Sequence, residues 1–248
     1  MVAVLKNIYR HCRKKIRFYS SVNWIKTYYF NYSKFPYATA KKLPVFFYGK
    51  VNFQNIKGEI VIEGAVTKGM IAFGKRFEKF SKSKGIAEIC IEGKMVFKGH
   101  ALFGKDYFVY VAENALLEIG NRSGMGNTGK IVCTQHIKLG DDVRISFESQ
   151  LMDSNFHQMI DTQTGEKFPM SSPIIIGNNN FLGNRVSVMP GTVTPDYCTV
   201  ASNSLCNKNY AALGNNILIG GAPAKLIRQH ISRDWVGEAA DQDIWKVL

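Results

Sequence analysis

A spacing of six residues governs the region from Ile176 to Cys206. Ile176, Leu182, Val188, Thr194, Val200 and Cys206 recur at that interval, and Gly177, Gly183 and Ala201 each follow one of them. An amphipathic helix places its apolar residues three and four apart, and a half-buried strand places them two apart. A period of six meets neither requirement and fits a parallel β-helix, in which each hexad lays down one short flat strand and one corner. The fixed aliphatic residue points into the coil. Asn, Asp and Gly take the corners, where they tolerate left-handed backbone angles. The same register extends upstream through Ile56 and Ile62, then Ile91, Phe97, Phe103 and Val109, then Ile119, Met125, Ile131 and Ile137. After a shift of two it runs on through Leu139, Ile145 and Leu151. The early repeats are looser, as expected of coils that close a stack.

Two stretches break the pattern. Residues 74–87 (GKRFEKFSKSKGIA) are rich in Lys and Ser and read as a surface loop. Residues 152–173 separate two well-formed runs of coils, and a long loop on a rigid scaffold is where function tends to sit. The chain therefore divides into residues 1–50, a β-helix over 51–225 carrying the loop 152–173, and a C-terminal helix or tail over 226–248. Ile227, Ile231, Trp235, Ile244 and Trp245 are the expected packing anchors of that tail.

Charge sorts along the same boundaries. Of the net +13, residues 1–50 supply eight Lys and three Arg with no Asp or Glu, which is +11. The remainder holds 21 basic and 19 acidic residues, or +2. A near-neutral body with a basic N-terminal segment does not describe a nucleic-acid-binding domain. Within that segment, residues 2–19 fit a helix with Leu5, Ile8, Cys12, Ile16 and Tyr19 on one stripe. Aromatic residues from Trp24 to Tyr37 follow, interleaved with Lys. The segment reads either as a cap on the open end of the coil or as a peripheral membrane contact. Five dispersed Cys without a CxxC pair read as free thiols in a reducing compartment, hence the cytoplasm. No stretch is apolar for long enough to span a bilayer.

His157 is the one candidate base in the 152–173 loop. An imidazole accepts a proton near neutral pH, and a nearby carboxylate can orient it. Asp153 and Asp161 lie four residues to either side, and Asn155 is closer still.

The order DSNFH, IGNNNFLGNRVSVMPGTV, VASNSLCNK and GGAPAKLIR resembles the left-handed β-helix acyltransferases. More narrowly, it is similar to the maltose/galactoside-type sugar O-acetyltransferases of capsule and surface-polysaccharide pathways. The resemblance covers residues 110–230. It implies an all-β, left-handed parallel β-helix that assembles as a homotrimer with active sites between subunits. It further implies acetyl-CoA as co-substrate, no metal, and a sugar or glycan acceptor. His157 would be the general base, with Asp153 or Asn155 holding its ring. Gly183, Ala201 and Ser202 would line the acyl and pantetheine path. Lys208, Lys225 and Arg228 would meet the phosphates, and Pro223 the adenine end. Two alternatives remain at this point. One is a metal enzyme of the γ-carbonic anhydrase type using His100, His136 and His157. The other is a β-helix kept only for assembly.

Overall fold

The computed structural model describes residues 6, 9, 10, 12, 13, 16, 19–75 and 85–237. Three parallel sheets form the faces of a prism, and the chain visits them in turn. The first face runs from Val45–Phe47 through Ile71–Phe73, Ala101–Phe103, Ser123–Met125, Arg144–Ile145, Phe181–Leu182 and Cys198–Val200 to Ile217–Gly221. The second begins at Val51–Asn55 and ends at Leu205–Cys206, and the third begins at Glu59–Ile62 and ends at Val193–Thr194. This is the left-handed parallel β-helix.

Each hexad residue stacks on its counterpart one circuit away. On the first face the inward column is Phe47, Phe73, Phe103, Met125, Ile145, Leu182, Val200 and Ile219. All eight are almost fully buried. The late coils repeat every 18 residues, as in the Asn178–Asp196 contact. Earlier coils are larger: corresponding positions lie 20 apart at Ser123 and Val143, and 22 apart at Lys105 and Asn127. The extra room is filled by rings. Phe47, Phe73 and Phe103 stack nearly parallel, with centroids 5.2 and 4.4 Å apart. The larger coils also explain the broken hexad register. Strands such as His136–Leu139 are four residues long and turn both Ile137 and Leu139 inward. The apparent shift of two is thus two inward positions on one strand.

The glycines that follow the aliphatic residue serve space, not left-handed geometry. A Cβ on Gly177 would stand 2.6 Å from the Pro195 backbone, and one on Gly183 would stand 2.7 Å from the Ser202 amide. The left-handed corner positions belong instead to Arg122, Asp142, Glu148, Arg185, Tyr197 and Asn203, among others. Corner side chains link one coil to the next. At the edge joining third to first face, Asn121, Asp141, Asn178 and Asp196 each accept a hydrogen bond from the main-chain N–H one circuit earlier, at 2.7–3.0 Å.

The N-terminal end is closed by helix α1, Trp24–Lys34, with a short α2, Tyr37–Ala40, behind it. Phe30 plugs the core against Phe47 and Phe53. Asn31 exchanges hydrogen bonds with both backbone groups of Val45, and the Thr27 hydroxyl accepts from Phe47 N–H. These side chains satisfy a strand edge that would otherwise be open. The described members of the apolar stripe expected over residues 2–19 do not close the coil in this way. Cys12, Ile16 and Tyr19 are helical but exposed, and Leu5 and Ile8 lie outside the described residues.

The C-terminal segment departs from expectation. Ala224–Gln229 is a strand, antiparallel to Ile217–Gly221, rather than the start of a helix. The last first-face strand needs a partner, and that demand overrides the helical propensity of Ala-Lys-Leu. Ile227 is 59% exposed and so is no anchor. Trp235 is one: it packs against the outer side of the first face, 5.8 Å from the Arg144 guanidinium. Ile244 and Trp245 fall outside the described residues, as do 76–84 of the Lys-rich stretch. All five cysteines are free, and burial pushes the thiols of Cys198 and Cys206 up to about 12.

Candidate active site

The 152–173 segment leaves the prism at the edge between second and third faces. It folds as an antiparallel arm, with bridges at Ser154–Ser171 and Ile160–Lys167. Asn155 N–H donates to Met170 C=O at 2.8 Å, and Phe168 N–H to Met159 C=O at 3.0 Å. At the tip the Asp161 carboxylate accepts from the amides of Thr164 and Gln163, which hold its pKa below the usual range. His157 rides on this arm and is exposed, as are Phe156, Met159, Ile160, Phe168 and Met170.

Asp153 does not hold the His157 ring. Its carboxylate is fully buried and accepts four hydrogen bonds from the turn at 134–136. One oxygen takes the Thr134 amide (2.7 Å) and hydroxyl (2.9 Å). The other takes the amides of Gln135 (2.8 Å) and His136 (2.9 Å). The Thr134 hydroxyl also meets the Ser171 hydroxyl at 3.0 Å. Asp153 therefore pins the root of the arm to the preceding coil. Asn155 is exposed on the arm, with its amide in the ladder. Asp161 is engaged at the tip. Removing the Asp153 carboxylate would strand four donors in a buried site. Asp153→Ala is expected to cost about 3 kcal/mol, and calorimetry should show Tm falling by roughly 6–12 °C for a chain of this length.

The clearest His–carboxylate pair lies beside this root. His136 Nε2 meets Glu118 Oε1 at 2.9 Å, and Lys98 Nζ lies 3.2 Å from the other Glu118 oxygen. Burial pushes the Glu118 carboxyl up, but hydrogen bonds from His136 and Lys98, with the charges of Lys98 and Lys138, outweigh it and leave the pKa lowered. The two residues are 18 apart and lie diagonally across neighbouring coils, since His136 sits opposite Leu116, so local spacing could not reveal them. A count of one circuit, 20 residues here, reaches Leu116, and the next position on the same face of that strand is Glu118.

The residues expected to hold the donor fall on a different edge. Gly183, Ala201 and Ser202 occupy successive corners between the first and second faces, and Gly220 continues the column. Side chains here must be small, since a Cβ on Gly220 would come within 2.8 Å of Ala201 Cβ. The Ser202 hydroxyl accepts from Asn184 N–H at 3.1 Å. Pro223, Lys225 and Arg228 are exposed on the hairpin that ends this column, with Lys225 opposite Gly220 and Arg228 opposite Leu218. Small corners beside exposed cations suit a long, phosphorylated donor. Lys208 stands apart from this group. It lies at the second-to-third edge two coils beyond the arm, 5.7 Å from the Tyr210 ring centroid. Within one chain, then, His157 and the donor residues sit on separate edges of the prism.

Among the described residues no group of three His, Cys, Asp or Glu side chains could hold a metal ion. His100, His136 and His157 belong to separate elements: a turn, a strand paired with Glu118, and the arm.

No protein-family model matches the chain. Sequence relatives include several acetyltransferases. Galactoside O-acetyltransferase of Escherichia coli is 28% identical over 145 residues, covering 52% of this chain and 68% of the relative. A probable acetyltransferase of Mycobacterium tuberculosis is 26% identical over 179 residues, or 71% of this chain and 55% of the relative. A putative lipopolysaccharide biosynthesis O-acetyl transferase of E. coli is 35% identical over 60 residues, or 24% of this chain and 29% of the relative. The matches thus span from under a third to about two thirds of those proteins. A solved galactoside acetyltransferase in complex with coenzyme A is 24% identical, with a TM-score of 0.42, covering 50% of this chain and 60% of that one.

Proposed function

We propose that this chain, homologous to the hexapeptide-repeat acetyltransferases, transfers an acetyl group from acetyl-CoA to a sugar hydroxyl of a surface or capsular glycan. What supports the reading is the pairing of an exposed His157 arm on one edge with a small-residue column and exposed cations on another. Acetyl-CoA supplies the acetyl group as a thioester. His157 removes the proton of the acceptor hydroxyl as that oxygen attacks the acetyl carbon, and returns it to the departing thiol. Main-chain N–H groups at a corner face the oxygen that gains charge. Gly183, Ala201 and Ser202 keep the path narrow, and Lys225 and Arg228 bind phosphate. Pro223 borders the adenine. The reaction belongs in the cytoplasm, where acetyl-CoA is made.

The separation of the two edges supports an assembly of several copies. A cleft that holds both His157 and Lys225 forms where the arm edge of one copy meets the corner column of the next. A closed ring of three such contacts is a homotrimer. The exposed apolar residues of the arm suit a buried contact of this kind.

A second reading has one observation in its favour: the 2.9 Å His136–Glu118 pair, which makes His136 an alternative base. Coenzyme A binding tests the first premise. At a ligand concentration 100-fold above Kd, a site in the folded state contributes about 2.7 kcal/mol. That corresponds to a Tm rise of roughly 5–10 °C in a thermal-shift assay. No shift at saturating coenzyme A would sink the reading and favour a β-helix kept for assembly.

A further inference from the structure

The exposed positions of α1 are unlike a solvated helix face. They are Ile25, Tyr28, Tyr29, Tyr32 and Ser33, so four of the five are large and apolar and none is charged. Ile25 is 82% exposed. A surface helix ordinarily turns its charged residues outward. Here the rings form a chain: Tyr19, Trp24, Tyr28, Tyr32 and Tyr37 follow one another with centroids 5.7, 5.9, 6.3 and 6.3 Å apart. Basic residues border both ends. Lys41 lies 5.7 Å from the Tyr37 ring centroid with Lys42 exposed beside it, and Lys6, Arg10 and Arg13 are exposed helical residues preceding Tyr19. Tyr9 and Ile16, also helical, are 65% and 68% exposed. The first acidic residue of the chain is Glu59.

We infer that this aromatic ridge docks the protein on an anionic lipid bilayer. Tyrosine and tryptophan have an apolar ring and a polar end, which suits the boundary between acyl chains and headgroups. Eleven cations without a single carboxylate in residues 1–50 complement a negatively charged leaflet. The ridge lies on the cap, remote from the arm and the corner column, so docking leaves both edges open. Membrane binding is independent of acetyl transfer and is measured without turnover.

The test is cosedimentation of the full chain with vesicles of phosphatidylcholine and phosphatidylglycerol (7:3) and of phosphatidylcholine alone, at low and high salt. The wild type should partition at least tenfold more strongly onto the anionic vesicles. Each basic residue near the surface contributes about a fivefold factor, so Lys41→Glu with Lys42→Glu should lower partition at low salt by more than 25-fold. Tyr28→Ser, Tyr32→Ser and Tyr37→Ser together should lower it at least tenfold at high salt, where charge is screened. These positions are exposed, and circular dichroism and thermal melting should match the wild type. Equal partition onto both vesicle types, no partition, or indifference to the tyrosine changes would overturn the inference. So would binding of a soluble polyanion such as dextran sulfate without binding of vesicles, which would make the ridge a glycan platform.

Discussion

His157→Ala is expected to lower acetyl transfer by about 10²- to 10⁴-fold, the usual contribution of a positioned general base. The side chain is exposed on an arm whose root is fixed by Asp153, so the variant should melt at the wild-type temperature. Turnover would be followed by release of free coenzyme A thiol with a galactoside or lipopolysaccharide acceptor. His136→Ala is the internal control. If His157 is the base, His136→Ala leaves kcat within a few-fold of wild type. If the losses are exchanged, the His136–Glu118 pair carries the proton instead. His157→Ala at near wild-type rate would remove the residue from the mechanism altogether.

The second large effect concerns mixing. His157→Ala should be inactive, and Lys225→Glu with Arg228→Glu should bind coenzyme A poorly. Were each site built from the arm of one copy and the corner column of its neighbour, mixed assemblies would regain intact sites. Random exchange at equal amounts leaves about one contact in four with an intact arm facing an intact column, as a cyclic assembly requires. Activity of the mixture, after unfolding and joint refolding, should therefore reach roughly a quarter of the wild-type value. No recovery above either variant alone would mean that both groups act within one chain. Light scattering on the wild type supplies the accompanying mass, and a monomer would contradict the arrangement.

The hexads from Ile176 to Cys206 could be read because the late coils are minimal. Each has three strands of only two or three residues, and the hexad residue is inward on every one, so period and structure coincide. The early coils obscured the same rule by enlarging, with Phe73 and Phe103 filling the added width. At the site, the residue types were visible and their partners were not. Asp153 lies four residues from His157 in the chain, yet its carboxylate turns toward amides 17 to 19 residues back, one circuit away. In a solenoid the nearest neighbour in space is a circuit distant, so local spacing misassigns side-chain partners. The Ala224–Gln229 strand was hidden for a related reason: its conformation is set by an exposed sheet edge, not by its own composition.

That edge has a consequence at the scale of many molecules. A stack of parallel strands has two open ends, and each is a template on which another chain can continue the ladder. Here neither end of the first face offers a parallel continuation. At one end Asn31 and Thr27 occupy the hydrogen-bonding groups of Val45 and Phe47 with side chains, which cannot be copied by an incoming strand. At the other, Ala224–Gln229 runs against the direction of every other strand. The polarity reversal breaks the repeat that fibril growth would need, so the same coil that favours endless extension is limited to one molecule's length.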